Sequence, residues 1–116
     1  VYYPETIIKI TTGEEYKTGR IIDGKEEYAK RFSPITLRNS AGNVVISTGL
    51  GNINFIKLEG SIIKKDGSES SNLPWSYTGK PDVYHYYSNV SKNITIRASG
   101  DMGDYQVVET IYYTKN

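Results

Sequence analysis

Apolar and polar residues alternate with a period of two over most of the chain, the signature of half-buried β-strands. Residues 54–64 place Ile56, Leu58 and Ile62 on one face, with Lys57, Glu59 and Ser61 on the other. Residues 92–99 point Ile94, Ile96 and Ala98 inward, and Asn93, Thr95 and Arg97 outward. The same reading predicts strands at 6–10, 16–22, 25–37, 43–48, 83–88 and 104–115, eight in all. Asp23-Gly24 and Asp66-Gly67 predict hairpin turns, since a two-residue turn of this type needs positive φ. Pro34 predicts a bulge, an edge or a break in the strand at 25–37, because proline has no N–H to give to a ladder. Residues 68–82 are polar, with Pro74 and Pro81 bracketing Trp75 and Tyr77, and read as a long loop. No stretch has helical periodicity. Short antiparallel strands without helices between them predict an all-β fold, a single antiparallel β-sandwich or jelly roll over residues 1–116.

Composition agrees. Ile, Val, Thr, Tyr, Phe and Trp make up 45 of the 116 residues, against 7 for Ala and Leu together, a bias toward pleated surfaces and away from helices. Mean hydropathy is −0.50, and no apolar run approaches the roughly 18–20 residues of a membrane span. Fourteen basic and 13 acidic residues are interspersed, so there is no basic footprint for nucleic acid and no sign of membrane insertion. Cysteine is absent, which excludes disulfide scaffolds, cysteine nucleophiles and cysteine-based zinc sites. A first residue of Val1 and a single methionine, Met102, read as an excised piece of a longer protein.

Most apparent chemistry has a plainer explanation. The stretch from Gly19 to Glu26 matches a phosphate-binding loop until its last position, where Glu26 stands in place of the hydroxyl. His85 is the only histidine, and no nucleophile-elbow motif surrounds any serine. It reads as a packed or hydrogen-bonded strand residue. Neither a catalytic set nor a cofactor is expected, and one histidine without cysteine argues against a transition-metal site. Asp101 and Asp104 read as turn residues, with calcium as the alternative. Glu14-Glu15 and Glu26-Glu27 point to opposite faces within each couple, cannot act as acid/base pairs, and read as solvated. Asn89 and Asn93 each begin a glycosylation tripeptide.

The aromatic cluster carries the functional weight. Trp75 and Tyr77 lie two apart in the loop, and Tyr84, His85, Tyr86 and Tyr87 follow. Eleven tyrosines to two phenylalanines favours half-exposed rings with an apolar face and a polar tip, suited to saccharide or protein surfaces. These six residues are the candidate saccharide contacts. The competing reading makes them cover for the core or for a subunit seam.

Three stretches carry a family resemblance. One runs from Lys17 to Arg31. The second runs from Ile56-Lys57-Leu58-Glu59-Gly60 to Lys65-Asp66-Gly67 and Leu73-Pro74. The third begins at Asn93-Ile94-Thr95-Ile96-Arg97 and passes through Gly100-Asp101 to Tyr112-Tyr113-Thr114-Lys115. Their order and spacing resemble the C-terminal domains of tail-fibre and baseplate proteins from phages and prophages of Gram-positive bacteria. The Ile22-Asp23-Gly24-Lys25 hairpin and the Tyr112–Lys115 end are the most specific parts. The loop around Trp75 lies outside the pattern. The resemblance implies a β-sandwich at the distal end of a virion fibre, in a homotrimer, attaching to a host-cell surface glycan or cell-wall polymer or capping the fibre. It transfers no catalytic residue. The alternatives are a structural trimerisation knob and a carbohydrate-binding module of a glycosidase, separable by the flanking sequence. Glu109 departs from expectation: it shares a face with Tyr105, Val107, Ile111 and Tyr113, so its carboxylate needs a partner, a solvent gap or an interface.

Overall fold

The fold comes from a computed structural model that describes residues 9–116. The strand expected at 6–10 lies outside that range except for Lys9 and Ile10, which are not in a strand. Nine strands form two antiparallel sheets, and there is no helix among the described residues. The strands are β1 (Glu15–Ile22), β2 (Lys25–Arg31), β3 (Ile35–Thr36), β4 (Gly42–Ser47), β5 (Ile53–Lys64), β6 (Ser70–Asn72), β7 (Val83–Ser88), β8 (Asn93–Ala98) and β9 (Tyr105–Lys115). The larger sheet has the order β1-β2-β9-β5-β6, with β3 also paired to β9, and the smaller has the order β4-β8-β7. The all-β, sandwich-like expectation holds, with nine strands where the pattern suggested seven among the described residues: the strand at 25–37 is split in two, and β6 is added.

Each sequence signal acts locally. Asp23 and Gly24 both adopt positive φ, 51° and 78°, and close the β1–β2 hairpin with Ile22 opposite Lys25. The strand expected over 25–37 is interrupted at Phe32-Ser33-Pro34, yet both pieces pair with β9: Arg31 opposes Thr110 and Ile35 opposes Val107. The Phe32 amide bridges the gap by donating to the Glu109 carbonyl at 2.9 Å.

The centre of the larger sheet is β9, flanked by β2 and β3 on one side and β5 on the other. Its odd-numbered residues Tyr105, Val107, Glu109, Ile111 and Tyr113 are all buried. They face Ile94, Ile96 and Ala98 of β8 and Val83 of β7 in one core that also takes in Ile62, Leu73 and Met102. In β5 the register slips between Phe55 and Lys57. Ile56 is the extra residue of this bulge, so inward parity passes from Ile53 and Phe55 to Leu58, Gly60 and Ile62.

The long loop expected at 68–82 needs correction. Ser70–Asn72 is strand β6, paired with Ser61, Ile62 and Ile63 of β5 across the Asp66-Gly67 turn. Trp75 then makes an antiparallel bridge with Val83. Two serines and an asparagine have little strand propensity of their own. The open edge of β5 needs only backbone partners, which any residue but proline supplies.

Candidate functional site

The bridge to Val83 fixes Trp75. The Trp75 amide donates to the Val83 carbonyl at 2.8 Å, and the Val83 amide donates back at 2.9 Å. Val83 points into the core, so its cross-strand partner lies on the same face. The indole therefore covers one end of the sandwich, with its ring 5.7 Å from that of Tyr105. Tyr77, two residues on, stacks parallel to it, with centroids 6.4 Å apart and 6° between planes. Lys80 donates its amide to the Tyr77 carbonyl at 2.9 Å and closes a turn. Ser76 donates to the Asp82 carboxylate at 2.8 Å and ties the base of that turn.

The β5–β6 hairpin builds the facing wall. Asp66 accepts from both the amide and the hydroxyl of Ser68, at 2.8 and 2.6 Å, and the Lys64 amide donates to the Glu69 carbonyl at 2.9 Å. Between the walls lies a cleft of about 490 Å³. Trp75, Tyr77, Tyr105 and Ile62 supply its apolar surface, and Ser68, Glu69, Ser70, Ser71 and Lys80 its polar rim. The Tyr105 hydroxyl donates to Glu69 Oε2 at 2.5 Å. That hydrogen bond, then burial, then the charges of Glu69, Asp104 and Asp66 push the phenol up to about 12. Tyr105 is thus a fixed neutral donor, and Glu69 a held carboxylate.

The six candidate contacts fall in three places. Trp75 and Tyr77 line the cleft. Tyr84 and Tyr86 stand on the outer face of the smaller sheet, in cross-strand rows with Asn43 and Arg97, and with Val45 and Thr95. His85 and Tyr87 point between the sheets, as alternation along β7 requires. Their place among the candidate contacts is therefore corrected: they are interior side chains. Tyr87 stacks on Phe55 at 5.6 Å. His85 bonds to Glu109, with Nδ1 2.8 Å from each carboxylate oxygen.

Sequence reasoning missed Tyr105, Glu69, Lys80 and the serines of the rim. Their signal was Asp66-Gly67. A tight turn there folds 68–71 back along β5, and Lys64 opposes Tyr105 across the β5–β9 ladder, which brings Glu69 over the tyrosine.

The unexpected Glu109 has its partner in His85 on the opposite sheet. The space between them depends on Gly60, which opposes Glu109 in the β5–β9 register. A Cβ there would collide with Glu109 Oε1, His85 Nδ1 and Leu73 Cδ1. Glu27 corrects another expectation, since it is buried rather than solvated. Thr18, Gly19 and Arg20 together oppose this one residue. The bulge lets Thr18 donate to Glu27 Oε1 at 2.7 Å and sets the Arg20 Nε 3.6 Å from it. Glu26 remains exposed beside Lys17. Asp101 accepts from the Gly103 amide at 3.0 Å and shapes its turn. No group of three or more metal-ligating side chains occurs among the described residues.

Geometry and chemistry define the domain as an all-β sandwich with an aromatic-walled cleft at one end. Compared with protein-family models, curated proteins and solved structures, the chain matches none.

Proposed function

We propose that this domain is a non-catalytic attachment module that binds a cell-surface saccharide in the Trp75–Tyr77 cleft. The carrying observation is the parallel stack of Trp75 and Tyr77 beside a rim of three serines, Glu69 and Lys80. Sugars present flat C–H faces to aromatic rings, and their hydroxyls need fixed polar partners in a largely preformed site. Among the described residues Glu69 is the single carboxylate lining the cleft, whereas glycoside hydrolysis generally needs two flanking the scissile bond. That contrast favours binding over cleavage. The resemblance to phage tail-fibre and baseplate proteins supports a setting at the distal end of a virion fibre, acting extracellularly on the cell wall of a Gram-positive host.

Capture of purified cell-wall polymers and a glycan panel by the isolated domain tests the reading. Retention by wild type and loss in Tyr77→Ala support it. Equal retention by both proteins overturns it.

A second reading is a homotrimeric knob that registers a fibre shaft. The outer face of the smaller sheet favours it, because Val45, Tyr84 and Tyr86 are 51%, 43% and 50% exposed there. Single apolar residues on a surface are ordinary, but three together on one sheet face suit a seam. Sedimentation at high concentration tests that reading. A trimer that Tyr86→Glu dissociates supports it, and a clean monomer counts against it.

A further inference from the structure

The cleft has a chemical asymmetry that narrows its ligand. Glu69 is anchored through one oxygen: Oε2 accepts from Tyr105 at 2.5 Å, and the main chain of Glu69 is tied to Lys64. Oε1 makes no hydrogen bond among the described residues, so one carboxylate oxygen is held at the cleft and left free to accept. Three aromatic rings, Tyr105, Trp75 and Tyr77, line the same cleft as Glu69, successive pairs of them 5.7 and 6.4 Å apart. Ring faces carry negative potential and attract cations. Asp66 and Asp104 add negative charge at the Tyr105 hydroxyl. Among the described residues the one cation lining the cleft is Lys80. It lies on the Tyr77 turn rather than on the Glu69 hairpin, and is in no ion pair among the described residues.

Resting on the saccharide reading above, we infer that the cleft selects a sugar bearing a free, protonated amino group, with the ammonium on Glu69 Oε1 and the ring on Trp75 and Tyr77. A charge-assisted hydrogen bond from an ammonium to a carboxylate is about twice as strong as a neutral one. Acetylating the amine removes the charge and leaves a bulkier neutral amide. Lys80 then serves the hydroxyls of the sugar and does not set the preference.

The test compares glucosamine oligomers with the same oligomers fully N-acetylated, by titration calorimetry. At about pH 6 the amine is charged, since such groups have a pKa near that of an α-amine, about 8. Wild type should bind the free-amine oligomer about tenfold more tightly, a difference worth about 1.4 kcal/mol. Glu69→Gln should bring the two affinities together, Lys80→Ala should leave the preference in place, and raising the pH above the amine's pKa should abolish it. Equal affinity for both oligomers in wild type, or tighter binding of the acetylated one, overturns the amine preference while leaving the saccharide cleft standing. Loss of the preference in Lys80→Ala also overturns it. Binding of neither oligomer, nor of any glycan on the panel, overturns both readings together.

Discussion

His85 Nδ1 lies 2.8 Å from both oxygens of Glu109, and this contact joins β9 at the centre of the larger sheet to β7 at the edge of the smaller one. The side chains are 9% and 0% exposed. Breaking a buried pair by removing one partner is far more costly than replacing the pair, because it leaves a polar group without its bond. His85→Ala should therefore destabilise the domain by about 3–5 kcal/mol. Urea unfolding, in which the midpoint falls at unchanged slope, is the measurement.

Gly60 gives an independent handle on the same contact. Gly60→Ala places a methyl group against the His85 ring and Leu73, each 2.9 Å from the added carbon, and into Glu109. Overpacking of this kind costs about 1–3 kcal/mol. The change should cost less in a Glu109→Ala background, which removes the side chain that the added methyl group strikes hardest. Full additivity in a double-mutant cycle would contradict the account.

The pair also sets a pH dependence. Burial pushes the Glu109 carboxyl above its ordinary value, against the opposing pull of His85. The folded state therefore holds a proton that the unfolded chain has released. The associated stability is fully present below the unfolded carboxylate value, about 4.3, and is lost as pH rises through the folded value. Glu109→Gln should flatten the stability profile across that window. Denaturation midpoints measured from about pH 4 to 8 give the answer, and parallel profiles would refute it.

Some of this was legible in the chain and some was not. Asp23-Gly24 was, because positive φ at both positions is a local demand. Gly24→Val should accordingly cost about 1–2 kcal/mol, measured by thermal unfolding. The buried row along β9 was legible too, because a period of two needs no knowledge of the partner strand. β6 was not, because Ser70, Ser71 and Asn72 pair through backbone alone. The joining of His85 and Glu109 was also hidden. Parity put Glu109 in the apolar row of its strand and set His85 opposite Tyr84 and Tyr86, but which side chains meet across two sheets depends on their stacking. Glu27 was misread because a bulge at Thr18–Arg20 wraps three residues around it, and alternation assumes an unbroken ladder. In the cleft, Trp75 and Tyr77 stood out as rings two apart, whereas Tyr105 and Glu69 join them only once β5 and β6 have paired.

The two aromatic walls should respond differently to truncation. Trp75 is packed against the core, so Trp75→Ala should lower stability by about 2–3 kcal/mol as well as weaken binding. Tyr77 is 65% exposed, and Tyr77→Ala should leave the unfolding midpoint within about 0.5 kcal/mol of wild type. Thermal unfolding of the two variants side by side checks the contrast.

Trp75 is the only tryptophan of the chain, so its emission reports on the cleft alone. The most direct test of saccharide binding there is a fluorescence titration of the intact domain with cell-wall glycan fragments, run beside Tyr77→Ala. A saturable change in Trp75 emission, weakened about tenfold or more in the variant, is the predicted result. Glycan binding that leaves Trp75 emission unchanged, or that Tyr77→Ala does not weaken, would contradict the assignment of the site.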